Sequence, residues 1–257
     1  MSVSGERPVA RITRPAAIVT DIEGTTSSIA FVHETLFPFA EAAIDDYIMA
    51  NLDEPDVLDL LDDVRIKAGL PRKQAITELI EDCLEALHGW MEADVKITPL
   101  KTLQGLIWRQ GYETGELRGH MYPDAVKQLK AWHADGIELY VYSSGSIAAQ
   151  KLMFGYSQFG DLTPLFTGYF DTTIGGKREA SSYRRIAEQV GQPPDQILFL
   201  TDIIEEAEAA EAADFMVVLL RRPTDAPATV EPERDNFADS DIDVVEDFHA
   251  IDFGEQA

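Results

Sequence analysis

Cysteine is nearly absent: Cys83 is the single one in 257 residues, which excludes an internal disulfide framework. It falls on the apolar stripe Ile76, Leu79, Ile80, Cys83, Leu84 and Leu87 at helical spacing, so it reads as a core residue rather than a reactive thiol. No apolar run approaches the roughly 18 residues that a membrane span needs, and MSVSGERPVARITRP lacks the apolar stretch of a signal peptide; the expected location is the cytoplasm. Basic residues are scarce: 21 Lys and Arg stand against 46 Asp and Glu, a net charge of −25. A field of that sign is ill matched to nucleic acid or to an anionic membrane, and neither is expected as a partner. None of the five histidines has a second one at ligand spacing, which argues against a His-based zinc site. No internal repeat is visible, and the chain is expected to act as a monomer.

What is present is an ordinary apolar content of 45%, enough for a sizeable core. Residues 1–15 hold basic and proline residues without periodicity and read as a flexible leader. A strand then ends at Asp21. Between about Ile29 and His120 only helical patterns occur, over 31–50, 56–68, 72–90 and 98–109, with Pro71 suited to a helix start. From Met121 the pattern changes to alternating helix and strand. Pro123 and Asp124 open a helix with the apolar face Val126, Leu129 and Trp132, and Asp135-Gly136 closes it before the strand 137–142. Ser146 and Ser181 suit helix N-caps, and GQPP at 191–194 breaks the chain before the strand 197–201. A further apolar run covers 215–220. The prolines and acids of 222–241 read as a long surface loop, after which IDVVEDFHAIDF returns to the core. These signals predict an α/β fold, a doubly wound parallel sheet built from 16–28 and 121–257, with an inserted all-helical cap over 29–120. An open core of this kind would leave ligand selection to whatever closes over it.

The chemistry gathers at strand ends. AAIVTDIEGTT places Asp21 directly after an apolar strand, with Glu23 two residues on and a turn at Gly24-Thr25. Alone, that segment is equally well a plain strand-to-turn junction. Three further segments answer it: Ser143 and Ser144 end the strand ELYVY, Lys177 follows two glycines, and Asp202 ends the strand ILFLT with Glu206 four residues on. In open parallel sheets, ligands bind outside the carboxyl ends where strand order reverses, so these positions can converge. Carboxylate pair, hydroxyl, lysine and carboxylate together make a phosphoryl-transfer set.

This order resembles the haloacid dehalogenase superfamily of phosphohydrolases. DIEGTT departs from that superfamily's usual D-x-D-G-T, and SSGS from its Ser/Thr-Asn, in the manner of the enolase-phosphatase (acireductone synthase) family of methionine salvage. The likeness runs from about Ala16 to Arg222 and rests on QGYETGELRGHMYPDA, YSSGSIAAQKLMFGYS, FDTTIGGKREASSY and ILFLTDIIEEAEAAEAAD. It implies action on 2,3-diketo-5-methylthiopentyl 1-phosphate, a small phosphate ester, by enolisation and then loss of phosphate. It also implies Asp21 as nucleophile through an aspartyl-phosphate and Glu23 as general acid and base. Lys177 would neutralise the nucleophile and hold phosphate, and Ser143 and Ser144 would hold substrate. One Mg²⁺ per subunit would be bound by Asp21, the main-chain carbonyl at Glu23, and Asp202.

Blander readings stand beside these. Asp202 also suits a helix N-cap, Ser143 and Ser144 a cap for the next helix, and Lys177 a surface lysine. Glu206 sits in EEAEAAEAAD, where a solvated face is as good a reading as a role in orienting Lys177 or metal-bound water. His120, in GHMYPD, is a further residue that could reach the site. Among rival functions, a small-molecule phosphatase of the same superfamily without the enolase step is nearest. A dehalogenase, or a binding protein on an inactive fold, is further off because nucleophile, lysine and metal acids are all present.

Overall fold

The computed structural model describes residues 9–72, 75–93, 95–222 and 241–254. In chain order the elements begin with strands β1 (Ala10–Ile12) and β2 (Ala17–Thr20) and a helical turn α1 (Ile29–Phe31). A π-helical stretch, Val32–Leu36, leads into α2 (Phe37–Ala50), α3 (Pro55–Lys67), α4 (Ile76–Glu92) and α5 (Thr98–Thr114). There follow α6 (Pro123–Ala134), β3 (Glu138–Tyr142), α7 (Ile147–Gly155), β4 (Gly168–Phe170), α8 (Ala180–Val190) and β5 (Ile197–Thr201). The last elements are α9 (Ile204–Glu211), β6 (Met216–Leu220), β7 (Asp243–Val245) and β8 (Ile251–Phe253). By internal contacts the chain divides into two compact units, Met1–Val32 with Arg118–Ala257, and His33–Leu117.

The first unit is built on a six-stranded sheet in the order β4-β3-β2-β5-β6-β7, every pairing parallel. Alternation along the strands sends residues to two cores, because successive side chains of a strand point to opposite faces. Ile18, Leu139, Val141, Leu198 and Leu200 pack with Val126, Leu129 and Trp132 of α6 and Met153 and Phe154 of α7. Ala17, Val19, Tyr140, Tyr142, Ile197 and Phe199 pack with Tyr183 and Ile186 of α8 and Ala209 and Ala210 of α9. Both faces are thus covered, as a parallel sheet requires. The connections run from β2 through β3 to β4 on one side, then cross to β5 and on to β6 and β7 on the other. The reversal lies between β2 and β5, which places the ends of these two strands at the switch point.

The second unit buries Ala40, Ile44 and Ile48 of α2 against Leu60, Leu61 and Val64 of α3, Ile80, Cys83 and Leu87 of α4, and Leu100, Leu103 and Ile107 of α5. Cys83 is a core residue as expected; its Sγ lies 3.4 Å from the Leu61 carbonyl, and burial pushes its thiol up. Among the described residues no helix is long and apolar enough to cross a membrane.

Four expectations are corrected. Residues 1–8 of the expected leader lie outside the described residues, but Ala10–Ile12 form a strand paired in parallel with Ile251–Phe253. Three residues are too short a run for a periodic signal. Pro71 does not open a helix; α4 starts at Ile76, where the apolar stripe begins. Ser146 caps α7, accepting from the Ala149 amide at 3.3 Å, but Ser181 lies inside the first turn of α8, whose cap position is Glu179. Most of the loop expected over 222–241 lies outside the described residues, yet its first member, Arg222, is buried.

Candidate active site

Asp21 follows the last residue of β2, its amide held by the Leu200 carbonyl of β5 at 2.8 Å. The Thr25, Thr26 and Ser27 amides all donate to the Ile22 carbonyl, at 3.2, 3.0 and 2.8 Å, which folds the turn tightly back. Asp21 Oδ1 accepts from the Ile22 amide at 2.7 Å, so the carboxylate is aimed by the backbone beside it. Gly24 has φ +68, and a Cβ there would overlap the Asp202 carboxyl. The glycine is needed both for its left-handed backbone and for the close approach of Asp202 from the end of β5. Asp21 and Asp202 are thereby brought together across the switch point.

Lys177 arrives from the loop between β4 and α8. Three hydroxyls fix that loop: Tyr142 donates to the Gly175 carbonyl at 2.9 Å, Ser182 to Gly176 at 2.8 Å and Tyr183 to Lys177 at 2.6 Å. The Lys177 Nζ then lies 2.8 Å from Asp21 Oδ1 and 2.7 Å from Glu206 Oε2, with only 9% of its side chain exposed. The surface-lysine reading is therefore excluded. Glu206 is not on a solvated face either; it is buried in the first turn of α9 and accepts from Thr201 Oγ1 at 2.9 Å.

Three carboxyls face one ammonium, and the electrostatics follow from that count. Burial would lower the Lys177 ammonium, but Asp21 and Glu206 together outweigh it and leave the group above the usual lysine value. Burial and then the Asp21 carboxylate hold Asp202 well above the ordinary carboxylate range, against a smaller pull from Lys177. Burial and Asp21 likewise push Glu206 up to about 7, although Lys177 and Thr201 act the other way. The lysine moves upward because two carboxylates face it, and its partner glutamate because burial and Asp21 outweigh the one cation.

A stability prediction follows. The folded-state value of Glu206 lies above its ordinary 4.5, so its contribution is fully present below that value and is lost as pH rises through about 7. Glu206→Gln removes the titration. In chelator, melting curves at roughly pH 5 and roughly pH 8 should show the wild type losing ground to the variant at the higher pH. A wild type that instead gained on the variant would assign the ion pair the larger part.

This excess of acid is a fit for a divalent cation. Among the described residues no three His, Cys, Asp or Glu side chains form a metal cluster by themselves. Asp21 and Asp202 supply two hard oxygen donors, the number Mg²⁺ takes when waters, main-chain carbonyls and phosphate oxygens complete its shell.

The remaining expected residues are placed as follows. Ser143 is buried at the end of β3, its Oγ accepting from the Gly145 amide at 3.2 Å, while Ser144 is exposed. The buried Gln150, unnoticed in the sequence, holds this loop by donating to the Gly145 and Phe170 carbonyls at 2.7 and 2.9 Å. Glu23 is half-buried in the turn and bridges to Ser27 through the backbone. His120 uses its Nδ1 to accept from the Ser28 amide at 3.1 Å, so it fastens the turn's far end.

Residues 15–214 match the model of the haloacid dehalogenase-like hydrolases. An enolase-phosphatase E1 of Klebsiella oxytoca is 51% identical over 223 residues, 87% of this chain and 95% of its own. That of Hahella chejuensis is 52% identical over 206 residues, 80% and 86% of the two chains. The crystal structure of the UTR4 protein of Saccharomyces cerevisiae superposes with a TM-score of 0.74 at 30% identity, covering 92% of this chain and 99% of that one.

Proposed function

As this chain belongs to the haloacid dehalogenase-like hydrolases and, within them, to the enolase-phosphatases, we propose that it converts 2,3-diketo-5-methylthiopentyl 1-phosphate to acireductone and phosphate in methionine salvage. The observation that carries this reading is the meeting of Asp21, Asp202 and Lys177 at the switch point, with Lys177 2.8 Å from Asp21.

In this reading Asp21 attacks phosphorus, a new P–O bond forms to its carboxylate, and the bond to the enol oxygen breaks with its electron pair leaving on that oxygen. Glu23 gives a proton to the leaving oxygen, then takes one from the water that opens the aspartyl-phosphate. A glutamate reaches about one bond length further than the aspartate usual at this position. Lys177 orients Asp21 through their 2.8 Å contact and offers charge to the phosphoryl oxygens. Ser143 and Ser144, which follow β3 next to β2 in the sheet, would hold substrate oxygens. Asp21, Asp202 and the carbonyl of Glu23 would hold one Mg²⁺, which when bound supplies Lewis-acid stabilisation to enolate and phosphoryl oxygens.

The test follows both products separately: enol absorbance and free phosphate, from the diketone phosphate with and without chelator. Wild-type enzyme is expected to yield both, and chelation or Asp202→Ala to depress each by at least about 100-fold. Phosphate release without the enol signal would assign the chain to the plain phosphatases. Normal enolisation in chelator would refute a shared metal role.

A further inference from the structure

Arg222 lies two residues past the end of β6, just before the stretch rich in proline and acids, and it is 5% exposed. A guanidinium out of water is costly unless its donors are satisfied. Here Nε and Nη2 both donate to the Thr25 carbonyl, at 3.2 and 2.6 Å. Nη1 donates to Asp124 Oδ2 at 2.7 Å, which also accepts from the Phe248 amide at 2.8 Å. The guanidinium carbon lies 4.0 Å over the Tyr122 ring and 5.3 Å from that of Phe248.

The carbonyl it grips belongs to the turn that carries Asp21 and Glu23. Inside that turn, Thr26 Oγ1 donates to the Asp21 carbonyl at 3.1 Å, and the amides of Thr25, Thr26 and Ser27 all point at Ile22. The Thr25 carbonyl faces the other way, into the fork. A planar fork on one oxygen fixes direction as well as distance, which a lysine ammonium does not. Asp124, at the start of α6, anchors the fork to the core.

We propose that Arg222 is a positioning residue for phosphoryl transfer, setting the turn that presents Asp21 and Glu23 through the Thr25 carbonyl; this rests on the functional reading above. A displacement of about 1 Å at a reacting group can cost about 100-fold in rate. Arg222→Lys, which keeps the charge and loses the fork, should therefore lower kcat for phosphate release about 10- to 100-fold and change KM less than about threefold. Asp124→Asn, which weakens the anchor alone, should lower kcat less. Assays belong well below each variant's melting temperature, with rates normalised to the vanadate-binding sites counted by calorimetry in MgCl₂. A purely structural arginine would lower melting temperature and site count but leave kcat per site unchanged.

Wild-type kcat per site in folded Arg222→Lys overturns the proposal. If Arg222→Lys does not fold, unchanged kcat in Asp124→Asn overturns it equally. Parallel assays on p-nitrophenyl phosphate separate the two levels. Wild type active there but not on the diketone phosphate would refute the substrate, and the Arg222 comparison would stand on that ester. Wild type inactive on both would remove the reading and the inference together.

Discussion

Asp21→Asn is expected to lower phosphate release at least about 10³-fold in a protein that still folds. The substitution preserves size, and an amide oxygen can still accept from the Ile22 amide that Asp21 Oδ1 meets at 2.7 Å. What disappears is the nucleophile and one of the two carboxyl groups in direct contact with Lys177. With that charge gone, Asp202 and Glu206 lose a repulsive neighbour that raises both, so each should titrate lower than in the wild type. Fluorescence melting and circular dichroism would establish the fold, and phosphate release the chemistry. Enolisation need not fall to the same extent, and accumulation of the enol phosphate would show that the two steps use separable groups. Turnover near the wild-type rate would remove the covalent mechanism.

The site was partly legible in the sequence because strand ends leave a clear mark. Asp21 and Asp202 each follow an apolar run that is wholly buried, β2 and β5, so their placement followed from the strands. Lys177 had only two glycines before it, and its burial depends on hydroxyls of Tyr142, Ser182 and Tyr183 contributed from β3 and α8. Glu206 was hidden among the acids of EEAEAAEAAD. The alanines around it, Ala207, Ala209 and Ala210, are buried but contribute little apolar contrast, so α9 did not announce which face was inward. Thr201 looked like an ordinary strand residue, and its hydrogen bond to Glu206 needs the fold.

Arg222 shows a different kind of loss. Its neighbours downstream are prolines and acids, so composition argued for a surface loop. Its partners, Thr25 and Asp124, lie 197 and 98 residues away, and no local pattern encodes a contact of that span. The return of IDVVEDFHAIDF is legible because Phe248 and Phe253 supply aromatic bulk, and both rings lie against Trp132 at 5.6 and 5.4 Å. The short partner strand at Ala10–Ile12 gave no such signal.

Lys177→Met should be the second severe substitution, and the structure separates its effect on stability from its effect on rate. Methionine fills similar space, so packing against Tyr142, whose ring lies 5.8 Å from the Nζ, is largely kept. The ammonium is not replaced. Asp21, Asp202 and Glu206 then face one another without a cation, and breaking a buried pair in this way costs on the order of 3–5 kcal/mol when the remaining groups are ionised. They can escape by holding protons. Glu206, already near 7 with Lys177 in place, would move higher, so the variant's deficit should be small near pH 5 and grow toward pH 8 in chelator. Added Mg²⁺ should recover part of the stability at the higher pH, because it replaces the missing positive charge. The rate should not recover with it: loss of a preorganised charge at the phosphoryl oxygens removes about 10²–10³ from kcat. Melting curves at the two pH values, each with and without Mg²⁺, together with phosphate release at saturating Mg²⁺, check all three statements. A variant that released phosphate at the wild-type rate would reduce Lys177 to a structural counter-ion, and a deficit independent of pH would mean that the acids around it are not the source of the cost.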